Sequence, residues 1–238
     1  MVVERTRPVL VIGGTRGTGL LIARLLNQQG TPVRVLARDP ARAREVLAPS
    51  IEVVPGDLTK EHTLPAAIRG ASDIVFTAGR RSGRPVRESR IKETEYQGVL
   101  NTLTAAKHAG LAGRFLYMTA SGVTRPSFWT RALNIYKGNT LLWRRRAEEA
   151  IRASGLAYTI IRAGVLLNQP GGTHEIVVTQ RELPLSPRYR IARADVAEAF
   201  VAALEHPRTV RATFEVVWGP GPRRQRWDEL MEGLLPDE

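Results

Sequence analysis

Short apolar runs rich in valine, isoleucine and phenylalanine recur along the chain at residues 8–12, 33–36, 51–54, 74–76, 115–118, 158–161 and 214–217. Between them lie stretches whose apolar positions recur at helical spacing, at 20–29, 59–68, 96–109, 147–153 and 195–204. A strand that is apolar at nearly every position must be covered on both faces. Strands of this kind alternating with helices therefore predict an α/β domain with a parallel, doubly wound sheet and helices on both sides. Gly30, Gly70, Gly110 and Gly155 each follow a helical stretch, where a left-handed cap favours glycine.

Two segments break the rhythm. Residues 120–140 and 166–192 read as long connections after the fifth and sixth strands, and such loops at strand C-termini build the sites of doubly wound folds. Residues 219–238 read as a small C-terminal extension on the substrate side, rich in Gly, Pro and Arg and ending in a short amphipathic helix. With 238 residues, a single domain spanning 1–238 is expected.

Composition narrows the chemistry. There is no cysteine, which removes disulfides and thiol catalysis, and the four histidines are scattered, so no metal site is expected. No apolar run reaches the roughly 18 residues of a membrane span, and the charged N-terminus does not read as a secretory signal. A cytoplasmic protein is expected, as a monomer or homodimer, with peripheral membrane contact left open. The net charge of +12 is almost all arginine, densest at Arg80, Arg81, Arg84, Arg87 and Arg90, at Arg144, Arg145 and Arg146, and at Arg223, Arg224 and Arg226. No recognition motif or aromatic platform accompanies it, so nucleic acid is not the expected partner.

The first strand runs into Gly13-Gly14-Thr15-Arg16-Gly17-Thr18-Gly19 and then a helix. Glycines there allow a tight turn and close approach of a pyrophosphate, which the free amides at the helix start then hold. This is the phosphate loop of a Rossmann-type fold, and Gly13, Thr15, Arg16, Gly17, Thr18 and Gly19 are its expected cofactor contacts. At the end of the second strand, Ala37 stands where an NAD enzyme carries an acid for the ribose 2′-hydroxyl, and Arg38 follows. Arg38 and Arg16 suit a 2′-phosphate, so NADP(H) is the expected cofactor. Asp39 and Pro40 read as the cap and first residue of the next helix. Asp57 and Leu58 are expected at the adenine, with a simple turn as the alternative for Asp57. Thr77, Ala78 and Gly79 are small enough for the cofactor to pass closely.

These motifs resemble the short-chain dehydrogenase/reductase superfamily. The stretches from Gly138 to Glu148 and from Ser154 to Gly164, with Gln169-Pro170-Gly171-Gly172 and Arg193-Ala194-Asp195-Val196-Ala197-Glu198, resemble its atypical, NmrA-like branch, and especially NADP-binding members from plants and cyanobacteria. That resemblance implies an oxidoreductase on a small carbonyl, quinone or pigment-like substrate, or a redox sensor or assembly protein with little catalysis. It also places Thr119, Ala163, Gly164 and Val165 beside the cofactor.

The chain departs from the family in its proton-transfer groups. Better-known members use a serine, then a tyrosine with lysine four residues on. Here Ser121 can supply the serine, but Arg144 stands where the branch often has lysine, and Thr140 where the tyrosine is needed. Tyr136 is followed four residues later by Thr140. Ser121, Tyr136 and Arg144 are the candidate catalytic residues, with Arg144 better suited to holding a ribose or a substrate anion than to moving a proton.

Overall fold

The computed structural model describes residues 6–79, 87–223 and 225–238; Arg80, Arg81, Arg84 and Arg224 of the arginine clusters lie outside it. Its strands are β1 (Val9–Ile12), β2 (Val33–Ala37), β3 (Glu52–Pro55), β4 (Asp73–Phe76), β5 (Arg114–Ala120), β6 (Ala157–Ala163), β7 (Val165–Leu167), β8 (His174–Thr179), β9 (Arg190–Ala192) and β10 (Ala212–Pro222). The α-helices are α1 (Gly17–Gln28), α2 (Pro40–Val46), α3 (Leu64–Ile68), α4 (Glu88–Lys92), α5 (Gly98–His108), α6 (Phe128–Tyr136), α7 (Thr140–Arg152), α8 (Arg193–Glu205) and α9 (Trp227–Met231). A π-helical stretch, Glu93–Gln97, joins α4 to α5.

The eight-stranded sheet runs β3-β2-β1-β4-β5-β6-β10-β8, parallel except for β8, and β7 pairs with β9 in a small second sheet. Alternation along a strand explains the two-sided core. Val9 and Val11 of β1 pack with Ile22, Ala23 and Leu26 of α1 and with α8, while Leu10 and Ile12 pack with α3, α5 and α7 on the opposite face. The chain starts at the centre of the sheet, winds outward to β3, then returns to β4 on the other side of β1. That reversal opens a crevice at the strand C-termini between β1 and β4.

Both long connections carry secondary structure. Residues 120–140 hold α6, and 166–192 hold the end of β7 and all of β8 and β9. β10 outruns the stretch predicted at 214–217 and continues through Gly219, Pro220 and Gly221 to Pro222. Its pairing with β6 ends at Val216, and beyond that point only β8 lies beside it. Proline is tolerated there because one side of the ribbon needs no N–H donor. The C-terminal segment packs on α8 and is tied by Trp227 Nε1 to Glu198 (3.0 Å) and by Asp237 to Arg152, Tyr158 and Thr213. None of its described residues lines the crevice.

Candidate active site

The crevice is a cleft of about 1670 Å³, larger than the roughly 300–1,000 Å³ of a single small-ligand pocket. Its phosphate end is built by the glycine loop. Gly13 has φ of 90°, and a Cβ there would lie 2.8 Å from the Ala78 amide nitrogen; at Gly19 it would lie 2.3 Å from the Gly13 carbonyl oxygen. Both glycines are needed for the loop to close on the end of β4, where the Thr77 hydroxyl donates to the Ile12 carbonyl (3.1 Å). Gly17 differs. It has φ of 55°, and the nearest atom to a Cβ there would be an Arg193 guanidinium nitrogen at 3.8 Å. This face is open to a ligand.

The N-terminus of α1 has no side-chain cap and no acid in its first turn, so its amides and dipole are directed to an anion. The hydroxyls of Thr18, in that first turn, and of Thr119, near the end of β5, are buried without a hydrogen-bond partner. Leaving two such groups unpaired is costly unless a ligand satisfies them. The glycine cradle, the uncapped helix and these two hydroxyls fit a dinucleotide.

Every expected cofactor residue lines this cleft: Gly13, Thr15, Arg16, Gly17, Thr18, Gly19, Arg38, Asp57, Leu58, Thr77, Ala78, Gly79, Thr119, Arg144, Ala163, Gly164 and Val165. Arg38 is exposed after the buried Ala37, while Arg16 reaches across to donate to the Gly79 carbonyl (3.3 Å). Asp57 serves the turn, its carboxylate accepting from the Thr59 amide (3.0 Å) and hydroxyl (2.9 Å). Asp39 caps α2 by accepting from the Arg42 amide (3.2 Å), with Pro40 in the first turn as expected.

The three candidate catalytic residues separate. Tyr136 lines the cleft from α6 and is 48% exposed. Ser121 does not line it: fully buried, it donates to the Glu215 carboxyl at 2.5 Å, just past the end of β5. The chain's turn there directs the hydroxyl into the protein, which removes Ser121 from the proton-transfer set. Arg144 lines the cleft, but it is no solvated helix charge. Its Nε pairs with the buried Glu95 at 2.8 Å, and the Thr140 hydroxyl donates to the same carboxylate at 2.5 Å. Burial pulls the Arg144 pKa down, but Glu95, with smaller help from Tyr117 and Glu148, leaves it above its ordinary value.

Sequence reasoning missed Glu95, Lys137 and Arg193. Glu95 stands four residues after Ile91 and four before Val99, on a buried helical stripe, and a charge in that position was the available signal. Lys137 enters the cleft beside Tyr136; burial, then the Arg144 charge, lowers its pKa against the opposing pull of Glu95. Arg193, the first residue of α8, is held by Asn168 (2.9 Å) close to Gly17, and burial lowers its pKa. Nothing in the sequence brings residue 193 to residue 17; the packing of α1 against α8 does so.

Strand order, glycine loop and cleft define a dinucleotide-binding α/β protein of the Rossmann type. A family model described as NAD(P)H-binding matches residues 13–207, and the chain belongs to that family of oxidoreductases, in keeping with its resemblance to the atypical short-chain dehydrogenase/reductases. It is 31% identical over 244 residues to sanguinarine reductase of Eschscholzia californica, covering 87% of this chain and 88% of that protein. Two solved structures share the fold. ChuY, an anaerobillin reductase from Escherichia coli O157:H7, superposes with a TM-score of 0.74 at 22% identity, over 90% of this chain and 98% of its own. A short-chain dehydrogenase/reductase from Veillonella parvula DSM 2008, in complex with NADP, gives 0.70 at 17% identity, over 90% and 95%.

Proposed function

We propose that this chain is an NADPH-dependent reductase of a small, apolar carbonyl, quinone or pigment-like molecule. The observation that carries the reading is one continuous cleft with two kinds of wall. One end has the glycine loop, the α1 N-terminus and the unpaired Thr18 hydroxyl; the other has Trp129, Leu133, Tyr136 and Leu185, with the unpaired Thr119 hydroxyl on β5 between. The choice of NADP over NAD rests on Ala37, which leaves no acid for a 2′-hydroxyl, and on Arg38 and Arg16 at the same rim. The reductases among its relatives and fold neighbours support the class of reaction.

Bound NADPH supplies a hydride. Arg193 and the α1 amides would hold the pyrophosphate, and Ala163, Gly164 and Val165 would line the nicotinamide end with backbone. Arg144, fixed by Glu95, orients a ribose or a substrate oxygen and stays protonated throughout. Lys137 is the group best suited to donate a proton to that oxygen, since a lowered pKa brings an ammonium closer to the acidity of a useful donor.

One observation favours a second reading, an NADP(H)-binding sensor or assembly protein. Glu95 engages both Thr140 and Arg144, the positions where the resemblance would place the tyrosine–lysine pair of the better-known members. A turnover screen following NADPH oxidation with quinones, aldehydes and flavins decides between them. Reduction of at least one class is expected; tight NADPH binding with no turnover on any of them would overturn the reductase reading in favour of the sensor.

A further inference from the structure

Of the eight large apolar side chains exposed among the described residues, five lie close together on α6 and early α7: Phe128, Trp129, Ile135, Tyr136 and Leu142. Single exposed apolar groups are ordinary, but a cluster of this kind marks an interaction surface. Polar bonds hold α6 in place from its inner side. Ser127 accepts from the Thr130 amide and donates to the Leu185 carbonyl, and Asn134 accepts from the Leu141 amide. The outer side has nothing to pack on. Phe128 (76% exposed) and Ile135 (86% exposed) stand two turns apart on one line, with exposed Arg131 on the same side. Trp129 and Tyr136 repeat the spacing one step round the helix and form the cleft rim.

The charges on the chain segment that carries this patch have one sign, although Glu149, just beyond it, pairs with Arg145 at 3.1 Å. No aspartate or glutamate occurs between Glu95 and Glu148, and Arg125, Arg131, Arg145 and Arg146 are exposed in that stretch. Apolar side chains flanked by the exposed Arg125 and Arg131, with no acid on α6 itself, suit a surface that offers both acyl chains and phosphates. A symmetric contact with a second copy through α6 would set Arg131 and Arg125 against their own likenesses, which is unfavourable.

We propose that α6 and the start of α7 dock this protein on an anionic lipid bilayer. Phe128 and Ile135 enter the acyl boundary, Arg125 and Arg131 meet the headgroup phosphates, and the cleft rim at Trp129 and Tyr136 sits at the membrane surface. The docking stands on the surface of α6 alone. Only its use, admitting an apolar substrate from the membrane to the cleft, rests on the reductase reading.

Co-sedimentation of the whole chain with vesicles tests the docking without any turnover. Vesicles of phosphatidylcholine with about one-third phosphatidylglycerol are expected to bind the chain at least about tenfold more tightly than phosphatidylcholine alone, and added salt should weaken that binding. Binding should shift Trp129 fluorescence to shorter wavelength. The variant Phe128→Ser/Ile135→Ser should lose at least about tenfold in vesicle binding while keeping NADPH affinity, since neither residue lines the cleft. Equal binding to neutral and anionic vesicles would overturn the proposal. So would unchanged binding in the double variant, or self-association through this face with no vesicle binding.

Discussion

At the scale of single residues, the cleft is governed by how its charges are partnered. Arg38 is exposed and has no ion pair among the described residues, so its guanidinium is available to a 2′-phosphate, whereas Arg144 is already held by Glu95. Arg38→Asp is therefore expected to cost about 1.5–3 kcal/mol of NADP binding, the range of a charged hydrogen bond, and to leave NAD binding little changed. Calorimetric titration with both cofactors checks this, and equal affinities in the parent protein would count against the choice of NADP. Tyr136 has no polar partner among the described residues, and Tyr136→Phe is expected to change turnover by less than about tenfold. A proton donated by Lys137 requires its protonated form. The kcat of the parent should then fall as pH rises through a lysine pKa set below the ordinary value, and Lys137→Met should lose that limb of the profile. Persistence of the limb in Lys137→Met would assign the proton elsewhere. That Ala37, Arg38 and the loop glycines share one cleft was legible from the motif, because their placement depends on close neighbours in the chain. Ser121 misled because its direction depends on Glu215, far away in sequence and across the sheet.

At the scale of elements, the three loop glycines carry different burdens. Gly13 and Gly19 face backbone at distances no Cβ can occupy, so substitution there disturbs the packing of β1 on β4. Gly17 faces open space but has positive φ, so Gly17→Val is expected to abolish cofactor binding while costing the fold only about 1–2 kcal/mol of backbone strain. Thermal melts alongside NADPH titration separate the two effects; retained affinity in Gly17→Val would mean the loop does not hold the pyrophosphate. The unread elements have a common cause. α6 points its apolar side chains outward, against the usual pattern, and so looked like a loop. β8 and the Gly/Pro-rich end of β10 form a strand pair only because each lies beside the other. α7 begins at Thr140, well before the predicted 147, since its first turns bury Leu141 and Trp143 within a run of arginines.

At the scale of the whole molecule, a buried charge network lies between β6, α7 and β10. Arg162 pairs with Glu148 at 2.7 Å and stands 3.8 Å from Glu215. Burial pushes the Glu215 carboxyl up to about 7 from 4.5, although the Ser121 hydroxyl, Arg162 and the Leu183 amide pull it back and Glu148 adds to it. Between these two values the folded chain holds a proton that the unfolded chain has released. The resulting stabilisation is present below about 4.5 and is lost as pH rises through 7, with a ceiling of about 3 kcal/mol. Glu215→Gln, whose oxygen can still accept from the Leu183 amide while its NH2 donates to the Ser121 hydroxyl, removes the charge and should flatten that decline. Urea unfolding from about pH 4.5 to just above 7 measures it, and an equal decline in both proteins would show that Glu215 titrates normally.

The sequence by itself determined the parallel α/β sheet, the phosphate loop and the cofactor face, because these follow from local apolar patterning and from glycines that only a tight turn requires. Only the tertiary structure decided which further side chains join them. Lys137 and Arg193 reach the cleft from the ends of separate helices, and Arg144, expected there, is held by Glu95 buried behind it, so what each can do depends on the neighbours that packing supplies. Hydrophobic periodicity sets which way an element faces, but it carries no information about which distant charge will lie opposite.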